Sequence, residues 1–310
     1  MMMMMMMIVV VVVVVVVERD RSAMSLLIRI NFTFFIFFFF IVLSGEAIAG
    51  SRSYSPPPPI VSTSIGNLVG SWERNGSVAT FKGIPYAIPP LREHRFERSE
   101  LWNGSLPVKG DYEQEMMFDA TKFGSPCLQN PLADPSQHPD PEAPPPAEDC
   151  LFLNVFKPAG SAHNTPPPPL LPVMVWIHGG GFCIGASSSS WYHGTDIAAN
   201  QGVVVVTINY RLGPLGFLVK DDSGNGGMNG ILDAVTALRW VKTHIESFGG
   251  DKDQITIFGQ SSGGSAVCSL SAMPLARGLF RRAIVQSGPC VGKWGPLPIS
   301  QGLEIYDQLL

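Results

Sequence analysis

Ile255-Thr256-Ile257-Phe258-Gly259-Gln260-Ser261-Ser262-Gly263-Gly264 runs from an apolar, β-branched segment into a stretch of small residues, Ser265, Ala266, Val267 and Leu270. The first four positions read as a buried strand and the small residues as a helix. Ser261 therefore lies on a sharp strand-to-helix turn inside Gly-x-Ser-x-Gly. A serine held on such a turn needs strained backbone, and side chains two positions to either side would collide. Glycine at 259 and 263 removes the collision. The helix N-terminus behind Ser261 favours the negative charge that develops when its hydroxyl attacks a carbonyl. In a chain with 32 glycines an isolated Gly-x-Ser-x-Gly carries little weight, so the flanking strand and helix supply the identification. The bland alternative is an ordinary turn serine.

Outward from this turn, four further segments read as strands covered on both faces: Leu151–Phe156, Leu170–Ile177, Val203–Asn209 and Arg282–Gln286. Between them Ile231, Val235, Leu238, Val241 and Ile245 recur at spacings of four and three and predict one helix, with Asn229 able to cap its start and Gly249-Gly250 after its end. Strands alternating with helices predict an α/β fold built on a mostly parallel, doubly wound sheet. Residues 128–149 and 158–169 are rich in proline and exclude helix or central strand.

Directly after the second of these strands comes His178-Gly179-Gly180-Gly181-Phe182. Three glycines let backbone amides converge on one point and allow a ligand close approach. Donors aimed at a developing oxyanion are worth several kcal/mol, and the amides of Gly180, Gly181 and Ser262 are assigned that part. A plain tight turn is the alternative. His178 lies inside this loop, where it orients the glycines rather than serving as a base. All six histidines precede Ser261.

A net charge of −4 and the lack of a Lys/Arg cluster argue against a nucleic-acid partner. The N-terminus reads as targeting sequence. Residues 1–23 are low complexity. Residues 24–49 combine Arg29, an apolar stretch to Leu43 and Ala47-Ile48-Ala49, the pattern of a cleaved signal peptide, with an uncleaved signal anchor and membrane association as the alternative. Residues 50–59 form a Pro-rich linker and 60–310 the folded domain. Entry into the secretory pathway makes Asn75-Gly76-Ser77 and Asn103-Gly104-Ser105 usable glycosylation acceptors. It also lets cysteines pair, and Cys127 and Cys150, which bracket a polar loop, are the first candidates. With five cysteines at least one is left over.

The stretch Phe248–Gly263 resembles the serine-site pattern of the type-B carboxylesterase/lipase family, of the α/β-hydrolase superfamily. Glu148-Asp149-Cys150-Leu151-Phe152-Leu153-Asn154-Val155 is similar to that family's second pattern, with Phe152 where Tyr or Thr is usual. His178–Phe182, Asn209-Tyr210-Arg211-Leu212-Gly213 and the helix around Asp233 and Trp240 fall in family order, so the resemblance covers about residues 60–310. It implies Ser261 as nucleophile, Gly180, Gly181 and Ser262 as oxyanion hole, and Cys127–Cys150 as a disulfide. It further implies Arg95–Glu148 and Arg211–Asp233 as buried structural ion pairs, and neither metal nor organic cofactor. Gln260 replaces the commoner Glu beside the serine. The Cys127–Cys150 segment lacks the tryptophan platform of cholinesterases, which argues against choline esters. The family's acid and histidine follow the serine in sequence, and no histidine follows Ser261 here.

The implied activity is hydrolysis of a small-molecule carboxylic ester through an acyl-serine. The α/β-hydrolase fold is expected to be truncated at its C-terminal side, leaving a sheet edge uncovered and the chain inactive or weakly active by itself. The competing readings are a non-catalytic, neuroligin-like adhesion protein and a truncated pseudoenzyme.

Overall fold

A computed structural model describes residues 15–17, 28–30, 56–107, 117–129, 139–160, 169–222, 226–291 and 298–309. Most of the targeting region, His138, His163 and part of each Pro-rich stretch lie outside these residues. In chain order the strands are β1 (Val15–Val17), β2 (Ile28–Ile30), β3 (Ile60–Thr63), β4 (Gly66–Val69), β5 (Ser71–Glu73), β6 (Val78–Pro85), β7 (Met117–Asp119), β8 (Phe152–Pro158), β9 (Leu171–Ile177), β10 (Val204–Ile208), β11 (Gly250–Gln260) and β12 (Arg282–Gln286). The helices are α1 (Thr195–Gln201), α2 (Gly213–Phe217), α3 (Asn229–His244), α4 (Ser262–Ala272) and α5 (Ile299–Leu309).

The main sheet has the order β2-β1-β12-β11-β9-β10-β8-β6-β5. β12, β11, β9 and β10 are mutually parallel, whereas β8, β6 and β5 run antiparallel on one flank and β1 and β2 on the other. The expectation of a mostly parallel sheet thus holds for the four central strands, and the whole sheet is mixed. Connection length explains the division. A helix intervenes between β9 and β10, β10 and β11, and β11 and β12, as parallel neighbours require, while β5 and β6 are joined by the short turn at Arg74–Ser77. β3, β4 and β7 form a separate small sheet, for which the sequence offered no periodic signal.

The outer edge of β12, expected to be uncovered, carries β1 in the pairs Val15↔Val285 and Val16↔Ile284. A run of valine is a strong strand former, and an unpaired edge accepts any extended segment. Low complexity by itself gives no reason to expect a strand, and Val15–Val17 departs from that expectation. Among the described residues no helix is long and apolar enough to cross a membrane.

α3 lies against the sheet. The five residues of the expected stripe are each at most 2% exposed, and Ala234, Ala237 and Trp240 beside them are buried too. Each large apolar side chain so buried contributes roughly 1.5–3 kcal/mol. The helix is thus buried over more than one stripe. Ile245 itself falls in the following 3₁₀ turn, which ends at Gly249 in the left-handed region (φ 79°). Asn229 does not cap the helix. It is the first helical residue, and its side-chain amide donates to the Phe96 carbonyl at 2.7 Å, fastening α3 to the segment before β7.

Candidate active site

β11 ends at Gln260 and α4 begins at Ser262, so Ser261 is the single residue of the turn. Its backbone sits at φ 55°, ψ −125°, a conformation that costs a non-glycine residue on the order of 1–3 kcal/mol and persists only where the surroundings impose it. Those surroundings are closely packed. The Ser261 amide donates to the Gln286 carbonyl of β12 at 2.9 Å, and the Ser265 amide donates to the Ser261 carbonyl at 3.0 Å. A Cβ on Gly259 would lie 2.6 Å from the Gly263 carbonyl, and one on Gly263 would overlap the Ile177 carbonyl oxygen. The Ser261 hydroxyl itself has no hydrogen-bond partner among the described residues.

The glycine loop after β9 meets this turn directly. A Cβ on Gly179 would be 3.3 Å from the Ser261 Cβ. Gly180 and Gly181 both have positive φ, 108° and 62°. At Gly180 an added Cβ would overlap the Ile184 carbonyl, whereas at Gly181 it would meet nothing within 4 Å, because that residue faces open space. The Gly180 carbonyl is taken by the amides of Cys183 (3.0 Å) and Ile184 (3.1 Å). The amides of Gly180, Gly181 and Ser262 have no acceptor among the described residues. They remain free donors beside an unpartnered hydroxyl, which can stabilise negative charge forming on a carbonyl oxygen.

Ser262 and Tyr210 tie loop and helix together. The Ser262 hydroxyl accepts from the Phe182 amide at 3.2 Å. The Tyr210 hydroxyl donates to the His178 carbonyl at 2.7 Å, and its ring stacks on the His178 imidazole at 4.4 Å. Burial pushes the Tyr210 phenol well above its ordinary range. His178 is 1% exposed and its Nδ1 lies 2.8 Å from the Gly179 carbonyl oxygen. Burial lowers its pKa to about 4, against a hydrogen bond to Gly179 that acts the other way. It is thus a neutral ring, engaged through Nδ1 and stacked on Tyr210, that holds the loop.

A model described as the carboxylesterase family matches residues 57–297. The chain belongs to this family. The para-nitrobenzyl esterase of Bacillus subtilis (strain 168) is 45% identical over 235 residues, which are 74% of this chain and 43% of that protein. The cocaine esterase of Oryctolagus cuniculus is 44% identical over 230 residues, 72% of this chain and 40% of that protein. For the bile salt-activated lipase of Bos taurus the figures are 41%, 227 residues, 70% and 34%. Of the solved structures, a PNB esterase matches with a TM-score of 0.62 at 41% identity, covering 73% of this chain and 43% of that one. A Geobacillus stearothermophilus carboxylesterase matches with a TM-score of 0.60 at 42% identity, covering 72% and 42%. The fold is that of an α/β-hydrolase, and the chain spans less than half the length of these relatives.

In this carboxylesterase-family chain the segment after β10 anchors the site at three depths. The Asn209 side chain accepts from the Ser187 amide (2.8 Å) and donates to the carbonyls of Ser125 and Cys150 (both 3.1 Å). Tyr210 holds His178. Arg211 meets Asp233 of α3 through Nε (2.8 Å) and Nη2 (2.7 Å), with the backbone amide adding a third bond at 3.0 Å. Both partners are buried. Arg95 and Glu148 also pair twice, at 2.5 and 2.7 Å, but their side chains are 45% and 22% exposed. This pair was expected to be buried. It is not, because Arg95 caps a surface 3₁₀ turn at Arg92–His94.

Cys127–Cys150 is a disulfide, and Cys268 in α4 pairs with Cys290 beyond β12, leaving Cys183 free and exposed. The second bridge had no sequence signal. Equally silent was Gln129, whose side chain accepts from the Gly185 amide (2.8 Å) and donates to its carbonyl (2.9 Å), clamping the glycine loop to the Cys127 segment. The remaining described histidines are engaged or remote. His193 contacts Thr195 (2.9 Å) and Glu73 (3.6 Å), His244 packs on Trp240, and His94 lies in the surface turn. Asn75 and Asn103 are both exposed. Among the described residues no cluster of three potential metal ligands occurs.

Proposed function

We propose that this chain carries the nucleophile and oxyanion hole of a carboxylic-ester hydrolase. Ser261 attacks the ester carbonyl, the amides of Gly180, Gly181 and Ser262 bind the resulting oxyanion, the alcohol leaves, and water releases the acid from the acyl-serine. The observation that carries this reading is the strained, unpartnered Ser261 next to three unoccupied amide donors. A base must remove the serine proton, and no described histidine hydrogen-bonds the Ser261 hydroxyl. We take the base and its carboxylate to come from sequence outside these 310 residues, so that the chain alone turns over weakly, sustained by the hole and by binding. The relatives' names support ester chemistry, and the substrate proposed is a neutral small ester.

The same reading places the protein in the secretory pathway, with residues 24–49 as signal peptide or anchor and with Asn75 and Asn103 as glycosylation acceptors. Two disulfides and the exposure of both asparagines support it.

The test is a chimera in which residues 57–297 replace the matched segment of the Bacillus subtilis relative. It is expected to hydrolyse p-nitrophenyl butyrate, and Ser261→Ala to lower that rate at least about a thousandfold. A folded chimera whose rate ignores the substitution would place the nucleophile elsewhere; one without any esterase activity would favour an adhesion protein.

A further inference from the structure

The two disulfides differ in what can reach them and in what they join. Cys127 and Cys150 are 3% and 1% exposed. In the other bridge Cys268 is half-buried on α4 and Cys290 is exposed. A thiolate must reach a sulfur to open a disulfide, so an accessible bridge exchanges where a buried one persists.

The accessible bridge closes a circuit around the serine turn. From Ser261, α4 runs about two turns to Cys268, and the bond crosses to Cys290. The chain leads back through Pro289, Gly288 and Ser287 to Gln286, whose carbonyl accepts from the Ser261 amide at 2.9 Å. This segment lies directly on the turn. A Cβ on Gly288 would come 2.5 Å from both the Ser261 carbonyl oxygen and the Ser265 nitrogen. Ser287 bends the chain into that position from β12, with φ 51°. Among the described residues, Ser287–Val291 make no hydrogen bond to α4, so the bridge is what fastens them to the helix. Strained backbone such as that of Ser261 persists only while its surroundings impose it. One wall of those surroundings is tied down by this bond.

We propose that Cys268–Cys290 is a reducible clasp on the serine turn, which a dithiol opens selectively and thereby lowers the reactivity of Ser261. One thiolate of the dithiol attacks a bridge sulfur and breaks the S–S bond. The second thiolate then displaces the mixed disulfide, and the reagent leaves as its cyclic disulfide. Cys268 and Cys290 take up the electron pair and two protons, so the exchange balances. Both cysteines act as positioning residues, through the Gln286–Gly288 segment. The proposal rests on the esterase reading for the reactivity of Ser261, but not for the hold on the turn.

The experiment uses the 310-residue chain with its free Cys183 first blocked by N-ethylmaleimide. Dithiothreitol is added under native conditions, and a portion is alkylated with iodoacetamide to locate the opened bridge. Alkylation is expected at Cys268 and Cys290, with Cys127 and Cys150 modified only after denaturation. Opening is expected to speed amide exchange at Ser261 at least about tenfold while exchange in β8, β9 and β10 stays within about twofold. Labelling of Ser261 by a fluorophosphonate is expected to slow about tenfold. Reoxidation should restore both in the wild-type chain, whereas Cys268→Ser should start loose and slow and stay so. Neither bridge opening, both opening at the same rate, exchange rising equally across the sheet, or a labelling rate that opening leaves unchanged each overturns the proposal. If exchange follows the expected pattern while Ser261 is labelled in neither state, the esterase reading falls and the clasp stands.

Discussion

The two sides of the serine turn are built differently. On the inner side Gly259 and Gly263 are pressed against backbone, His178 and Tyr210 are stacked and hydrogen-bonded, and Arg211 and Asp233 form a buried pair. On the outer side Gly181 faces empty space and borders a cavity lined by Phe182, Phe217 and Ile231. The second ion pair, Arg95 with Glu148, is in reach of solvent. Glycines of the two motifs therefore serve opposite ends. Inside they permit contact, and outside they leave room for something that is not protein. A rigid back and a vacant front are what preorganised charge stabilisation requires.

The contrast is broken most strongly through its ion pairs. Asp233→Asn leaves Arg211 buried without its counter-charge and is expected to cost about 3–5 kcal/mol in urea unfolding. Glu148→Gln, in the partly exposed pair, is expected to cost no more than about 1 kcal/mol. Equal costs would remove the distinction between the buried and the exposed anchor. Next come the glycines. Gly263→Ala drives a methyl group into the Ile177 and His178 carbonyls and is expected to cost about 3 kcal/mol. Gly181→Ala meets no neighbour, so only its left-handed φ is penalised, by about 1 kcal/mol.

His178 sharpens the comparison through pH. Its pKa is about 4 in the folded chain and near 6.5 when exposed. As pH falls below 6.5 the unfolded chain takes up a proton that the folded chain refuses until near 4. Stability is therefore full above pH 6.5 and declines between 6.5 and 4, by on the order of 2–3 kcal/mol from this residue. His178→Gln should flatten that decline in unfolding curves run across the interval; an unchanged slope would mean that the ring is not held neutral.

What could be read from sequence was local. The turn at Ser261, the stripe of α3 and the central strands declare themselves through spacing and residue type within a dozen positions. The anchors that hold them are long-range, and their sequence separation hides them. Gln129 clamps Gly185, Cys268 bridges to Cys290, and Asn229 reaches Phe96 in place of its own helix end. No composition or period marks such partners, since each is chosen by where the chain returns. The pairing of β1 with β12 belongs to the same class: the valine run has strand propensity, but only the finished sheet offers it an edge.

The claim that matters most is that Ser261 faces the amides of Gly180, Gly181 and Ser262 in working order. The direct measurement is a crystal structure of the chimera after reaction with a fluorophosphonate. The expected result is a covalent adduct on Ser261 with the phosphonyl oxygen about 2.7–3.1 Å from those three amide nitrogens. An adduct on another residue, or an oxygen turned away from the glycine loop towards solvent, contradicts it.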